Sequence, residues 1–195
     1  VIRESLSGKR IAITGATGFL GTALVERLLR AVPESELVLV VRPGRRGAQS
    51  RVDRDILKND AFDKLRAAFA DDPVAAGGLE GETFAEMCKR RITALAGDVA
   101  TDGMNLDADG LALLASCDIA IHSAAAVSFD SALDDAVEVN LLGPHRVARA
   151  LRDAAEAHDR REPAHLVAVS TCYVAGSRRG KAPEQLVNES PFYVD

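Results

Sequence analysis

Five short runs of mainly consecutive apolar residues punctuate the chain, at 10–14, 37–41, 92–96, 119–122 and 166–170. Runs of this kind, without strict apolar–polar alternation, suit strands covered on both faces. Between them, apolar residues recur every three or four positions, the spacing of amphipathic helices. Leu20, Leu24 and Leu28 make one stripe; Leu133, Val137 and Leu141 make another, which Leu151 extends. Leu111 and Leu114 share a face on a shorter helix. Strands alternating with helices predict an α/β fold with a doubly wound parallel sheet and right-handed crossovers.

One segment breaks this rhythm. Residues 43–91 are much longer than a crossover between neighbouring parallel strands needs. The segment opens with PGRRG, carries helical stretches around Ile56-Leu57 and over 62–69, and breaks at Gly77-Gly78. It reads as a helical insertion after the second strand, outside the sheet, or as a solvated decoration.

Composition narrows the partners. With 47% hydrophobic residues over 195 positions, residues 1–195 can bury one core without disulfide or metal staples. A net charge of -5, 4% aromatics and no Trp argue against nucleic acid as a partner. Cys88, Cys117 and Cys172 are widely spaced, which excludes a disulfide framework and a paired-cysteine metal site and points to a reducing compartment. No metal is expected. No apolar run approaches the roughly 20 residues of a membrane span, and the first ten residues are too polar for a signal peptide. The expectation is a soluble, cytoplasmic chain.

The chemistry begins with TGATGFLG at 14–21, directly after the first strand and opening the first long helix. In a Rossmann-type NAD(P)-binding domain, Gly15 would permit the tight turn, Gly18 the approach of a pyrophosphate, and Gly21 close helix–sheet packing. Free amides at the helix start would face the phosphates. Which dinucleotide binds is decided at the end of the second strand. An NAD site usually carries Asp or Glu there; this chain has Val41-Arg42-Pro43, with Arg45 and Arg46 close behind. A guanidinium binds a 2′-phosphate that a carboxylate would repel, so NADPH is the expected cofactor. The alternative is that Arg42 is a surface loop charge.

Three further signals end strands on the same side of the predicted sheet. Gly97-Asp98-Val99 follows the third, HSAAA at 122–126 the fourth with Phe129 soon after, and STCYVAG at 170–176 the fifth. A carboxylate at Asp98 could reach an adenine amino group, and Thr171 could offer a hydroxyl near a nicotinamide. Singly, each has a plainer reading: Asp98 or Thr171 as turn formers, His122 as a satisfied core or cap residue. Their convergence at carboxyl ends of strands carries more weight.

On these motifs the chain resembles the extended short-chain dehydrogenase/reductases, and within them the N-terminal Rossmann portion of fatty acyl-CoA reductases. The likeness runs through TGATGFLG, LVLVVRP at 37–43, the stretch 53–66 ending in AFDKLR, GDV at 97–99 and HSAAAVSFD at 122–130. It continues through DDAVEVNLLGPHRV at 134–147 and VSTCYVAG at 169–176. It implies that Gly15, Thr17, Gly18, Phe19, Leu20 and Gly21 form the phosphate turn and that Arg42 contacts the 2′-phosphate. It implies an adenine site at Asp98 and Val99, and a cofactor wall at Ala124 and Ala125. Asn140 would buttress the active site, and Thr171 would hydrogen-bond a substrate carbonyl. The implied reaction is NADPH-dependent reduction of an acyl-CoA or acyl-carrier thioester to aldehyde or alcohol. The resemblance leaves room for peripheral membrane contact by a longer parent protein.

One departure bears on activity. The family uses a Tyr-x-x-x-Lys pair; here Tyr173 is followed four positions on by Ser177, and Tyr193 by only two residues. The chain therefore reads as the cofactor-binding portion of a longer reductase, inactive alone, with 188–195 resembling mid-protein sequence. Two alternatives stand: a carrier-protein thioester-reductase domain, and a non-catalytic NADP(H) sensor.

Overall fold

In the computed structural model, residues 2–128, 130, 132–176 and 179–184 are described; Phe129, Ser177, Tyr193 and the stretch 188–195 lie outside them. The apolar runs form five strands: β1 (Arg10–Thr14), β2 (Glu36–Val41), β3 (Ile92–Ala96), β4 (Ile119–His122) and β5 (His165–Ala168). All pair in parallel in the order β3-β2-β1-β4-β5. The chain winds outward from β1 to β3, then crosses back to lay β4 on the other side of β1. That reversal opens a crevice at the carboxyl ends of β1 and β4. This is the expected Rossmann-like α/β fold.

Alternate side chains of the strands feed two cores. Beyond a short α1 (Ile2–Leu6), Ile11, Ile13, Leu37, Leu39 and Val41 pack with Val25 and Leu29 of α2 (Phe19–Ala31). Ala12, Val38, Val40 and Ala120 face the opposite layer, built from Leu114 of α6 (Ala108–Ala115) and Val147, Ala150, Leu151 and Ala154 of α8 (Leu142–Ala157). Each large aliphatic side chain fully buried this way contributes roughly 1.5–3 kcal/mol.

The helical stripes are rotated from those the spacing predicts. On α2 the buried positions are Gly21, Thr22, Val25, Leu28 and Leu29, while Leu20 is exposed and Leu24 half-buried. Leu133 and Leu141 are exposed, because α7 (Leu133–Ala136) and a π-helical turn over Val137–Leu141 bury no side chain before α8 begins. The fifth strand also differs from expectation. It ends at Ala168, and as an edge strand it leaves Val167 and Val169 exposed, not buried on both faces.

The 43–91 segment adds no strand, yet it is no mere decoration. After a tight turn closed by Gly47 N–H to Gly44 O at 3.0 Å, it forms α3 (Gly47–Asp55), α4 (Asp63–Asp71) and α5 (Phe84–Arg91). The first of these stops before Ile56-Leu57, which cap it without extending it. Val52, Ile56, Phe62, Leu65, Phe69 and Met87 join the same core as β1, β2 and α2. A capping box between Thr83 and Glu86 starts α5. At its far end the buried Arg91 donates to the carbonyls of Leu29 (2.7 Å), Val32 (2.6 Å) and Ser35 (2.9 Å). These are acceptors at and just beyond the C-terminus of α2, where a helix lacks partners of its own. Burial pushes the Arg91 guanidinium down to about 10, so it stays charged at neutral pH.

Candidate functional site

Between β1 and α2 the chain turns through Gly15, whose φ of 72° favours glycine. A methyl group on Gly15 would stand 2.5 Å from the amide nitrogen of Ala124, and one on Gly21 would strike Gly15 O and the Ala16 backbone. Strand end, turn and helix are thus in backbone contact. Gly18 caps α2 without a side-chain bond, and the first helical bond runs from Thr22 N–H to Gly18 O at 2.9 Å. The amides of Phe19, Leu20 and Gly21 therefore precede any intrahelical acceptor. Thr22 Oγ1 donates to Ala16 O at 3.1 Å and fixes the turn on the helix.

This turn opens into a cleft of about 650 Å³ along the carboxyl ends of β1 to β4. Gly15, Thr17 and Gly18 line one wall, Arg42 the end of β2, Asp98 and Val99 the end of β3, and Ala124 and Ala125 the end of β4. Asp98 accepts the Ala100 amide at 3.0 Å, and Ser123 Oγ donates to Thr14 O at 2.8 Å, tying β4 to β1. A dinucleotide fits this donor set: free helix amides, a glycine surface that side chains would fill, and a cation at one end.

Five predicted residues stand apart from that lining. Phe19 and Leu20 turn their side chains to solvent, and Gly21 is a packing contact. Asn140, on the π-helical turn, bonds both backbone polar groups of one residue: Oδ1 accepts Ala126 N–H at 2.8 Å and Nδ2 donates to Ala126 O at 2.9 Å. Thr171 sits just beyond β5, exposed, its oxygen accepting the Tyr173 amide at 3.2 Å.

Sequence reasoning missed Arg51. From α3 it reaches the cleft wall and donates from Nη1 to Arg42 O at 2.9 Å. Its Nε is buried without a hydrogen bond and lies 3.4 Å from an Asp55 carboxylate oxygen. Only the fold-back of α3 brings it there; an arginine nine residues beyond Arg42 carried no local signal. Glu138 was also missed. It lines the cleft and pairs with Arg146 at 2.7 Å, which also holds Asp102 at 2.9 Å.

His122 ends β4 as a buried residue, its Nδ1 sharing a 2.6 Å hydrogen bond with Thr14 Oγ1 and its Nε2 without a partner. Burial holds the ring below the usual imidazole range. The unfolded chain therefore takes up the proton first as pH falls through about 6.5, and stability falls with it. Urea unfolding should show a larger loss between about pH 7.5 and 5.5 for the native chain than for His122→Gln. Equal losses would mean that His122 does not titrate on unfolding.

All three cysteines are free; burial pushes the Cys88 and Cys117 thiols up to about 12, and Cys172 is exposed. Among the described residues no helix is long and apolar enough to cross a membrane.

The family profile described as "Male sterility protein", an NAD-binding family, matches residues 13–191. The chain belongs to this family. Among curated relatives of this Male sterility family member, Fatty acyl-CoA reductase 8 of Arabidopsis thaliana is 29% identical over 200 residues, covering 97% of this chain and 37% of the relative. Fatty acyl-CoA reductase 1 of Pongo abelii is 33% identical over 149 residues, covering 75% of this chain and 26% of the relative. The chain thus spans about a third of such proteins. In structure it is similar to the terminal R domain of the myxalamid PKS-NRPS pathway, with TM-score 0.62, 24% identity and coverage of 93% and 40% of the two chains. The reductase domain of a Mycobacterium tuberculosis non-ribosomal peptide synthetase gives TM-score 0.55 at 25% identity, covering 89% and 37%.

Proposed function

We propose that this chain is the NADPH-holding part of a reductase acting on fatty acyl thioesters. The observation that carries the reading is the cleft itself, which joins a turn of free amides to two guanidinium groups at the end of β2. Its setting among fatty acyl-CoA reductases supplies the substrate class. Bound NADPH would supply a hydride for the thioester carbonyl carbon.

The chain's own residues divide the remaining work. Amides of Phe19, Leu20 and Gly21 hold the pyrophosphate at the helix N-terminus. Arg42 meets the 2′-phosphate, and Arg51, braced on the Arg42 carbonyl, adds a second cation to that end of the cleft. Asp98 faces the adenine with the carboxylate oxygen that Ala100 leaves free. Ala124 and Ala125 form a wall without side chains to block the cofactor. Because the Thr171 oxygen already accepts an amide, its hydroxyl proton is left to donate to the carbonyl oxygen as negative charge develops there. Asn140 is a positioning residue, fixing the loop beside the cofactor wall.

Calorimetric titration tests the cofactor. The chain should bind NADPH at least about tenfold more tightly than NADH, the worth of one charge-assisted contact. Arg42→Ala should bring the two affinities close together, and Arg51→Ala should narrow the gap. Equal affinities in the native chain would overturn the 2′-phosphate assignment. The reaction is tested in the longer protein: it should consume NADPH with palmitoyl-CoA, and Thr171→Ala should lower kcat with little change in NADPH affinity. An unaffected rate would remove the carbonyl contact.

A further inference from the structure

A second cavity, of about 700 Å³, lies between α3 and α5. It shares no lining residue with the cofactor cleft. It reaches Ile92 at the amino end of β3, whereas the cleft gathers at carboxyl ends of strands. Its size lies within the range of small-molecule sites.

The wall is mainly apolar, formed by Leu57, Phe84, Ala85, Cys88 and Ile92. Most of its polar groups are already engaged. Asp53 accepts Gln49 Nε2 at 2.9 Å. Arg66 donates to the carbonyls of Leu57 (2.7 Å) and Asn59 (3.1 Å), pairs with Asp63, and lies 6.0 Å over the Phe84 ring. Lys58 and Lys89 differ: both are exposed lining residues, and among the described residues neither has an ion pair or side-chain hydrogen bond. The cavity therefore combines an oily wall with two uncommitted ammonium groups, which outnumber the one carboxylate, Asp53, held by a neutral amide. A hydrophilic phosphate would leave the wall unmatched, and a neutral lipid would leave the charges unmatched.

We propose that this cavity binds a free long-chain carboxylate, its alkyl tail against Leu57, Phe84, Cys88 and Ile92 and its head group met by Lys58 and Lys89. This site is independent of the cofactor reading. Its ligand is an amphiphilic anion, and its occupancy bears on the packing of α3 and α5 without entering the cleft.

The test titrates the 195-residue chain with palmitate by calorimetry, at saturating NADPH and below the micellar concentration. One palmitate should bind per chain, and hexadecanol should bind about tenfold more weakly for want of the charged contact. A Lys58→Glu/Lys89→Glu chain should lose at least about tenfold in palmitate affinity. Ala85→Trp, which places an indole in the cavity from an exposed helix position, should abolish binding. Both variants should keep the native far-ultraviolet spectrum and NADPH affinity. Absence of palmitate binding, or unchanged affinity in either variant, would overturn the proposal. The NADPH titration on the same samples reads the cleft separately, so failure of one site does not pass for failure of the other.

Discussion

Gly18→Val should abolish measurable NADPH binding while leaving the chain folded. A Cβ at Gly18 would stand 3.3 Å from Gly15 O, which a shift of a few tenths of an ångström relieves. The backbone at this position is extended, with φ of −81° and ψ of 169°, so a branched residue can adopt it. The valine methyls would instead occupy space in front of the free amides of α2, where a pyrophosphate must come into contact. Affinity should fall beyond the range of a calorimetric titration, with the urea midpoint little changed. Gly21→Val makes the contrasting control. There the added atoms meet Gly15 O and the Ala16 backbone inside the turn, so stability should fall together with binding. Retained NADPH affinity in a folded Gly18→Val chain would mean that the phosphates lie elsewhere.

Arg91→Met should cost at least about 2 kcal/mol of folding stability. The substitution keeps an apolar stem of similar length but removes the guanidinium from the Leu29, Val32 and Ser35 carbonyls. Val32 O keeps the Ser35 amide (3.1 Å) and hydroxyl (2.9 Å), but Leu29 O and Ser35 O lose their donor, and each buried acceptor left bare costs about 1–3 kcal/mol. Against a typical total of about 5–15 kcal/mol, that loss should lower soluble yield as well as the urea midpoint. Arg91→Lys should recover only part of it, since one ammonium cannot reach acceptors spread across a guanidinium fork. A loss below about 1 kcal/mol for Arg91→Met would show that the carbonyls find other partners.

The sheet was readable because its inner strands need apolar residues on both faces. Ile11, Ile13 and Leu37 through Val41 announce themselves without knowledge of their neighbours. The glycine turn after β1 was readable for a similar reason, since its glycine spacing and the strand before it are local. What escaped is non-local. The tilt of α2 puts Leu20 toward solvent and turns Val25 and Leu29 inward, a choice made by the sheet beneath it. The helix α5 went unread because only Phe84, Met87 and Cys88 mark its inner face, and the next position of that stripe is the buried Arg91. Arg51 escaped because its place in the cleft depends on the Gly44–Gly47 turn folding α3 back over the strand ends. For Asn140 the motif pointed to the active-site region, while its paired bonds to Ala126 emerge only in three dimensions.

Those paired bonds make position 140 selective for a functional group, beyond size or polarity. Ala126 presents one donor and one acceptor, and a primary amide answers both in a single plane. An aspartate of almost identical shape offers acceptors only, so Ala126 O would face a carboxylate oxygen, two lone pairs opposed. Exchange of one NH₂ for one oxygen would thus turn a clasp into a repulsion, loosening the β4 loop from the helix that carries it. The wall at Ala124 and Ala125 keeps its form through the chemistry of a residue that does not line the cleft itself.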